Sequence, residues 1–361
     1  MKITRIGMDI AKSVFQLHGV DSHDRAALKK KLKRAEVLAF YRALPACEVG
    51  IEACGGAHHW ARAIGALGHS VKLIAPQFVK PYVKTNKNDA ADAEAICEAM
   101  SRPNMRFVPI KTTAQQDLQA IHRIRSELIK QRTMKGNQIR GLLSEYGIVV
   151  DKRLERLRAA LPVILEHADN GLTMPMRHLM AELRADLVQF DARVKQMDEK
   201  IALEATGNVA VKRLQQIPGI GPISATALVA AVGDAKSFKC GRAMAAWLGL
   251  VPAQKSSGGK DRLLGISKRG DSYIRTLLIH GARASQRAAV NKTDPRSVWV
   301  NALGERRHKN VAAVALANKN ARIAWVILSR GEDYRAQGPT TSARSTTTSA
   351  LSTAAHEASV M

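Results

Sequence analysis

Residues 3–34 read ITRIGMDIAKSVFQLHGVDSHDRAALKKKLKR, and their alternation of apolar and polar side chains decides the fold of the first third of the chain. The segment ITRIGMDIA is typical of a buried strand, and SVFQLHGVD alternates as its hairpin partner would. RAALKKKLKR can form a third strand at the edge of the sheet, because lysines at an exposed edge discourage pairing with another sheet. The stretch therefore predicts three antiparallel strands.

The residues that follow predict two helix–strand units. The helical segment AEVLAFYRALP precedes a short strand, CEVGIEACGG, and the helix AHHWARAIGALG ends at Gly68 before the strand HSVKLIAP. Three antiparallel strands followed by helix–strand–helix–strand is the element order of an RNase H-like fold. We therefore expect residues 1–110 to form an α/β domain of this class.

Four acidic residues occupy unusual places in that domain. Asp9 lies inside the first strand and Glu52 at the end of the fourth, although charged residues are rare inside buried strands. The helical stretch NKNDAADAEAICEAM, residues 86–100, puts Asp89 and Asp92 one turn apart. In an RNase H-like sheet the first and fourth strands are neighbours, and four converging carboxylates need a counter-charge. Mg²⁺, a hard cation that prefers oxygen ligands, would supply it, with two ions suited to phosphodiester chemistry.

Residues 111–206 predict a long helical region. A first helix, from about Thr113 to Tyr146, carries many basic residues, and a break follows near LPVILEHADNGLTMP. The next helix has apolar residues at alternating spacings of three and four, which is a coiled-coil heptad. These are Met180, Leu183, Leu187, Phe190, Val194, Met197 and Ile201. The pattern fits an intramolecular helical hairpin or a dimerisation arm equally well.

Residues 207–338 predict a second helical domain, which is strongly basic. Between Gly207 and Pro339 there are 22 Lys and Arg against 7 Asp and Glu. From residue 339 to residue 361 the composition changes to Ser, Thr and Ala, which is too poor in apolar side chains to pack. We therefore expect a disordered tail.

A glycine motif opens the second domain. The segment LQQIPGIGPISATALVAAVG predicts a helix, a tight turn through Gly219 and Gly221, and a helix that starts near Pro222. Such a turn resembles a helix-hairpin-helix element, in which backbone N–H groups hold phosphates without reading sequence. A plain helical turn explains the same residues equally well.

A serine-containing loop follows within WLGLVPAQKSSGGKDRLLGISKRGDSYIR. Ser256, Ser257, Gly258 and Gly259 predict a flexible loop, and a serine there could attack a phosphate if a base or metal activated it. Most Ser-Gly loops have no such role. The neighbouring cations would at least bind phosphates. They are Lys255, Lys260, Arg262, Lys268 and Arg269.

The composition indicates a nucleic-acid partner. The chain has 361 residues, 56 Lys and Arg against 31 Asp and Glu, and a formal net charge of +25. A polyanion is the expected partner of such a protein. The four cysteines contain no C-x-x-C pair, so neither a zinc site nor a disulfide framework is favoured. There is no signal peptide and no run of eighteen apolar residues, which predicts a cytoplasmic protein without a membrane partner.

Five motifs together resemble the DEDD transposases of the insertion-sequence-110 family, close to its 1111 branch. They are IGMDIAK, GIEACGG, NKNDAADAEA, IPGIGPISA and WLGLVPAQKSSGG…SKRGD…IR, in the family's order and spacing. The resemblance covers about residues 3–335, and the set is specific although no single motif is. Relatives can carry further serines where this chain has Gly258 and Gly259, so Ser257 or Ser256 is the only candidate nucleophile in the loop.

The resemblance implies a function and its machinery. It implies a RuvC-like domain with a metal-binding tetrad, a coiled-coil middle region and a mainly α C-terminal transposase domain in which Ser257 attacks DNA. The family is also guided by a bridge RNA that pairs with donor and target DNA. Its active site is composite between protomers, which requires a dimer or tetramer. An enzyme of this kind would act at the nucleoid.

Three other functions fit parts of the sequence. A site-specific DNA invertase would share every motif and differ only in the flanking DNA. A RuvC-type Holliday-junction nuclease would use water and would not depend on Ser257. A non-catalytic nucleic-acid-binding protein would bind in the same way with or without Mg²⁺, and the four acids would be unnecessary in it.

Overall fold

The computed structural model describes residues 2–84 and 88–335, so the tail expected at residues 339–361 lies outside the described residues. A six-stranded sheet forms the core of the N-terminal region, in the order β3-β2-β1-β4-β5-β6. Its strands are β1 Arg5–Ile10, β2 Val14–Val20, β3 Ala26–Lys33, β4 Glu48–Glu52, β5 Ser70–Ile74 and β6 Phe107–Val108.

The sheet has the topology that the sequence predicts. β1, β2 and β3 are antiparallel, β3 is an edge strand, and β4 pairs parallel to both β1 and β5. The short strand β6 adds a further edge that was not predicted. Four helices accompany the sheet: α1 Val37–Ala43, α2 Ala57–Gly65, α3 Pro76–Val79 and α4 Asp89–Met100. The N-terminal region is therefore a mixed α/β domain with a central sheet.

The middle of the chain is a helical hairpin with a third helix packed at its closed end. Its helices are α5 Thr113–Ser144, α6 Leu154–Glu166 and α7 Met174–Gly207. The heptad residues Met180 and Leu187 of α7 share a buried core with Ile139 and Leu143 of α5. The heptad is thus covered by α5 of the same chain, as in the intramolecular alternative. The break lies at residues 167–173, in the second half of the predicted stretch, because LPVILE completes α6 despite Pro162.

Ion pairs fix α5 and α7 side by side in opposite directions. Arg125 pairs with Asp198, Arg132 with Asp191 at 3.1 Å, and Lys135 with Asp186 at 3.0 Å. The residue numbers fall along α7 as they rise along α5, which is the register of an antiparallel pair. Many basic residues of α5 are therefore neutralised within the hairpin.

The C-terminal region is mainly helical around one apolar core. It comprises α8 Val209–Gln215, α9 Pro222–Val232, α10 Gly241–Trp247, the strands β7 Pro252–Gln254 and β8 Leu263–Ile266, α11 Ser272–Ala288, α12 Pro295–Arg306 and α13 Lys309–Arg330. Among the described residues, only α13 has the length and hydropathy that could cross a membrane. Its alanine-rich face, with Leu316 and Ile327, is buried in this core, as expected of the central helix of a globular domain.

Candidate active site

Asp9 and Glu52 lie at adjacent positions on two neighbouring parallel strands. The register of β1 and β4 pairs Met8 with Ile51, and each acid is the next residue of its strand. Both side chains are half-buried, and Met8 and Ile51 are fully buried on the opposite face. Burial, followed by the negative charges of Glu52 and Asp9, raises the pKa of the Cys54 thiol, so both carboxylates lie near one group.

Helix α4 covers the face of the sheet that carries these two acids. A Cβ atom added to Gly7 would lie 2.5 Å from the Cys97 backbone nitrogen, and one added to Gly50 would lie 3.1 Å from Cγ2 of Ile96. Both glycines therefore face α4. Because side chains alternate along a strand, Asp9 shares the face of Gly7, and Glu52 shares the face of Gly50.

The first turn of α4 points towards the same end of the sheet. Ala93 lies over Gly7, whereas Cys97 reaches back to Arg5, with its Sγ 4.0 Å from the Arg5 carbonyl oxygen. The helix therefore runs antiparallel to β1, and its N-terminus lies towards Asp9. Asn88 caps this end, since its Oδ1 accepts a hydrogen bond from the Ala90 N–H at 3.0 Å. The structure thus brings the first turn of α4, which contains Asp89 and Asp92, to the edge where β1 and β4 end.

The acidic residues of α4 divide into two groups. Glu94 and Glu98 face Lys84, with Nζ–Oε distances of 3.6 and 3.0 Å, and Glu98 also pairs with Arg102. Asp89 and Asp92 form no ion pair within residues 2–84 and 88–335. Glu94 and Glu98 are therefore paired with cations, whereas Asp89 and Asp92 have no such partner in that part of the chain.

The side chains at this edge do not form a closed metal cage. No three His, Cys, Asp or Glu side chains converge closely enough to hold an ion in the described part of the chain. The donor chemistry nevertheless fits a hard divalent cation, because the backbone directs four carboxylate residues towards one edge. A cation here would require the side chains of α4 to turn towards those of the strands.

The predicted serine loop is a β-hairpin rather than a flexible loop. β7 and β8 pair antiparallel, and Ser257 and Lys260 form the last bridge, with the Lys260 N–H donating to the Ser257 carbonyl at 3.0 Å. Gly258 and Gly259 have φ angles of 56° and 76°. Two consecutive positive φ angles define a two-residue type I′ turn, which favours Gly-Gly because other residues are strained there. We call residues 252–266 the serine hairpin.

The two serines of this hairpin have different surroundings. The Ser256 hydroxyl accepts hydrogen bonds from Nε2 of Gln254 at 2.8 Å and from the Arg262 N–H at 3.2 Å, so it holds the two strands together. The Ser257 hydroxyl has no hydrogen-bond partner among the described residues and is exposed beside the turn. Ser257 is therefore the better placed of the two to reach a substrate.

All the cations predicted around the serines are exposed, and none forms an ion pair in the described chain. They are Lys255, Lys260, Arg262, Lys268 and Arg269. The Lys255 N–H donates to the Arg262 carbonyl at 2.9 Å, which places these two residues opposite each other in the hairpin. Lys255, Lys260 and Arg262 therefore lie on the strands around Ser257 together with one acid, Asp261. Lys268 and Arg269 lie beyond the base of the hairpin.

The glycine motif forms the predicted turn between α8 and α9, with Pro222 as the first residue of α9. Gly219 has a φ of 91°, and an added Cβ would lie 2.6 Å from the Gly281 carbonyl oxygen, so a close backbone contact with α11 explains this glycine. Gly221, in contrast, has open space beside it. Only Gly221 therefore leaves room for a ligand at the turn.

Sequence reasoning missed the residues that hold this turn in place. The Pro218 carbonyl accepts hydrogen bonds from Nη2 of Arg296 at 2.6 Å and from Nδ2 of Asn320 at 3.3 Å. Asn320 is completely buried. Neither residue has a sequence signal, because the contacts span 78 and 102 residues. Gly7 and Gly50, in contrast, did have a sequence signal, since a glycine inside a strand often marks a close approach of another backbone.

Comparisons with known proteins match both halves of the chain. Residues 6–148 match the family model for DEDD transposases of the IS110 type, and residues 211–296 match the model described as Transposase IS116/IS110/IS902 family. The chain is 53% identical over 336 residues to a protein of Pseudomonas aeruginosa named "Probable family 20 transposase", covering 93% of this chain and 99% of that protein.

Two further relatives extend the comparison. The chain is 48% identical over 330 residues to the transposase for insertion sequence element IS1111A of Coxiella burnetii, covering 91% of each chain. It is 40% identical over 329 residues to the transposase for insertion sequence element IS1328 of Yersinia enterocolitica, covering 91% of this chain and 98% of the relative. The similarity thus runs through the sheet, the helical hairpin and the C-terminal region alike.

Proposed function

The chain belongs to the IS116/IS110/IS902 family of transposases, and from that premise we propose that it is a bridge-RNA-guided DNA recombinase that uses metal-bound carboxylates and a serine nucleophile. The observation that supports this most is the edge where β1, β4 and the first turn of α4 meet. Asp89 and Asp92 on the first turn of α4 form no ion pair among the described residues, whereas Glu94 and Glu98 of the same helix are paired with cations. A purely structural role would not require that difference.

We propose that Asp9, Glu52, Asp89 and Asp92 hold two Mg²⁺ ions. Bound Mg²⁺ would offset the repulsion between the carboxylates and polarise the scissile phosphate. The strand register fixes Asp9 and Glu52 relative to each other, and α4 brings the two remaining acids to them.

Ser257 is the proposed nucleophile. Its Oγ loses a proton and forms a bond to phosphorus, while the scissile P–O bond breaks and the departing sugar oxygen takes up a proton. The resulting phosphoserine keeps the energy of the broken ester, so that a hydroxyl of another strand can reverse the step and release the serine. Ser256 would support the hairpin, and the surrounding cations would hold DNA phosphates against it.

We also propose that two protomers supply one active site. The serine hairpin forms a two-stranded sheet in the C-terminal region, whereas β1 and β4 belong to the six-stranded sheet of the N-terminal region. A dimer or tetramer in which the hairpin of one copy meets the acidic edge of another would unite them. Residues 1–110, 111–206 and 207–338 would then act as catalytic, arm and transposase domains in a cytoplasmic, nucleoid-acting assembly.

Paired substitutions test this proposal. We expect Asp9→Asn and Asp92→Asn to abolish strand transfer in Mg²⁺ and to leave DNA binding in EDTA intact. Glu94→Gln is the matched control, because Glu94 lies on the same helix but faces Lys84. Normal strand transfer by either aspartate variant would refute the metal assignment.

The serine assignment has its own matched pair. Ser257→Ala should stop strand transfer and remove the covalent protein–DNA adduct, whereas Ser256→Ala should weaken the hairpin and retain the adduct. An adduct formed by Ser257→Ala would move the nucleophile elsewhere. Mixing inactive Asp9→Asn with inactive Ser257→Ala should restore activity if the site is composite, and failure to do so would place both halves on one protomer.

The guide RNA has a separate test. RNA that copurifies from cells carrying the native flanking DNA should be one discrete species; random cellular RNA would contradict the proposal of a guide RNA.

A further inference from the structure

A cleft lies where the N-terminal domain, the start of α5 and the C-terminal domain meet. It consists of two cavities of about 320 and 530 Å³, which share Gln119 and Arg123 in their walls. Ala227 and Asp271 belong to the first cavity, and Arg62 belongs to the second. We call this space the junction cleft.

Lys111 lies beside the junction cleft and is held in place by contacts on both sides. Its carbonyl oxygen accepts a hydrogen bond from Nη1 of Arg62 at 2.6 Å, and its N–H donates to Nδ1 of His58 at 3.2 Å. Its ammonium group donates to Oε1 of Gln119 at 3.2 Å. Because Gln119 lines both cavities, this last contact holds the Lys111 ammonium group next to the wall of the cleft.

Three cations converge here. Burial, and then the charges of Lys111, Arg62 and Arg123, lower the pKa of His58 to about 4, so all three act on one ring. His58 is consequently neutral at pH 7 and adds no charge. Burial and then Arg123 also lower the pKa of Lys111, against the opposing effect of Asp271.

Three acidic residues also line the junction cleft, but none forms an ion pair with these cations in the described chain. The Asp271 carboxylate accepts hydrogen bonds from the N–H groups of Tyr273 and Ile274 at 2.8 and 3.1 Å, since it caps α11. Glu127 lies 3.6 Å from Lys130, and Asp117 is exposed to solvent. Within the described residues, none of the three converging cations has an ion-pair partner.

Three other basic residues of α5, in contrast, have a structural role. Arg125, Arg132 and Lys135 each face an aspartate of α7. Arg62, Lys111 and Arg123 lie close together without such partners, which costs free energy in proportion to their mutual repulsion. An anion in the cleft would remove that cost.

The junction cleft also leads to the serine hairpin. Asp271 follows Gly270 and Arg269, and the Arg269 carbonyl accepts a hydrogen bond from Nη1 of Arg275 at 2.9 Å on the first turn of α11. A polyanion that leaves the cleft past Asp271 therefore reaches Arg269, next to the base of the hairpin that carries Ser257 at its turn. A continuous phosphate backbone fits this path, whereas an isolated anion would occupy only one end of it.

We propose that the junction cleft binds the phosphate backbone of duplex DNA through Arg62, Lys111 and Arg123. The choice of DNA rests on the proposed function, because strand transfer requires DNA beside Ser257. The three cations would hold phosphates without reading bases, and Gln119 would keep the Lys111 ammonium group directed into the cleft.

The test measures how salt weakens DNA binding. We would titrate a 30-base-pair duplex by fluorescence anisotropy in EDTA at several salt concentrations, with wild-type protein and with the double variant Lys111→Gln, Arg123→Gln. Each lost phosphate contact should lower the slope of log Kd against log salt by about one. The double variant should therefore lose about two. Lys195→Gln is the matched control, because Lys195 is an exposed lysine that already faces Glu199 at 3.9 Å, and its slope should stay that of the wild type.

Two outcomes would overturn the proposal: an unchanged slope for the double variant, or a lowered slope for an RNA duplex but not for DNA. If the double variant does not fold, Arg123→Gln alone serves, since the exposed Arg123 side chain makes no hydrogen bond in the described chain, and its slope should fall by about one. Binding in EDTA does not require the carboxylates or Ser257. Failure here would therefore leave the strand-transfer proposal standing, and failure of strand transfer would leave this slope unchanged.

Discussion

Replacing Gly7 with alanine should separate the two halves of the proposed carboxylate site without touching any carboxylate. The added Cβ would lie 2.5 Å from the Cys97 nitrogen and 2.8 Å from the Cys97 Cβ, and closer still to the Ala93 carbonyl oxygen. These are mainly backbone atoms of α4, which cannot rotate away. Ordinary contact begins near 3.4 Å, so α4 must retreat from the sheet by about 1 Å.

That retreat should affect catalysis more than folding. Overpacking of this size costs about 1–3 kcal/mol of the free energy of unfolding. A misplacement of about 1 Å at a reacting centre can cost about 100-fold in rate. Because α4 brings Asp89 and Asp92 towards Asp9, we expect Gly7→Ala to lower the rate of Mg²⁺-dependent DNA cleavage by at least tenfold and to raise the Mg²⁺ concentration needed for half-maximal rate.

Gly55→Ala is the matched control. Gly55 lies three residues after Glu52, and an added Cβ would meet no atom within 4 Å. Cleavage would be measured over a Mg²⁺ titration, with thermal unfolding and DNA binding in EDTA recorded for both variants. If Gly7→Ala stays folded and cleaves within twofold of Gly55→Ala at every Mg²⁺ concentration, then the approach of α4 to β1 does not set the active-site geometry.

Acid should destabilise the contact between α5 and the C-terminal domain through His122. Its Nδ1 lies 3.0 Å from the Tyr273 hydroxyl. Burial, and then the charge of Arg125, lower the pKa of His122 to about 4. Unfolded histidine has a pKa near 6.5, so this stability is complete above pH 6.5, declines as the pH falls towards 4, and is about 2 kcal/mol lower at pH 5 than at pH 7. Urea denaturation at both pH values should show a larger loss in the wild type, to which His58 also contributes, and a loss about 2 kcal/mol smaller in His122→Gln; equal losses would contradict the assignment. Gly219→Ala should destabilise the protein by about 1–3 kcal/mol, because the position has a positive φ and contacts α11, whereas Gly221→Ala should melt as the wild type does. Equal melting of the two variants would show that the contact with α11 does not constrain the turn.

The order of the strands could be predicted from the sequence because one face of each is buried and the other is not. Period-two alternation in ITRIGMDIA and SVFQLHGVD reports that difference directly. The acids Asp9 and Glu52 were detectable for the same reason, since each interrupts an apolar strand. What remained unpredictable was how α4 lies on the sheet, because its direction depends on contacts between Gly7 and residues about 90 positions away.

Other features were hidden by ambiguous patterns. A heptad repeat marks an apolar seam but does not say whether the covering helix belongs to the same chain, and here the ion pairs between α5 and α7 show that it does. Pro162 lowers the helical expectation for α6 because an interior proline removes a backbone hydrogen bond. The serine hairpin lacks apolar alternation, so only the Gly258-Gly259 pair signalled its turn.

The distribution of charge explains why binding and cleavage should be separable. The aspartates of α7 neutralise much of α5, so the net charge of +25 is carried by other surfaces, including the serine hairpin and the junction cleft. Those surfaces attract phosphates without a bound metal ion. In the proposed mechanism, the carboxylate site at Asp9 and Glu52 would repel them without a metal ion, because carboxylates and phosphates are both anionic. DNA held by the cations can therefore approach this site only when a further cation lies between them, so we expect removal of divalent metal to abolish cleavage while DNA remains bound.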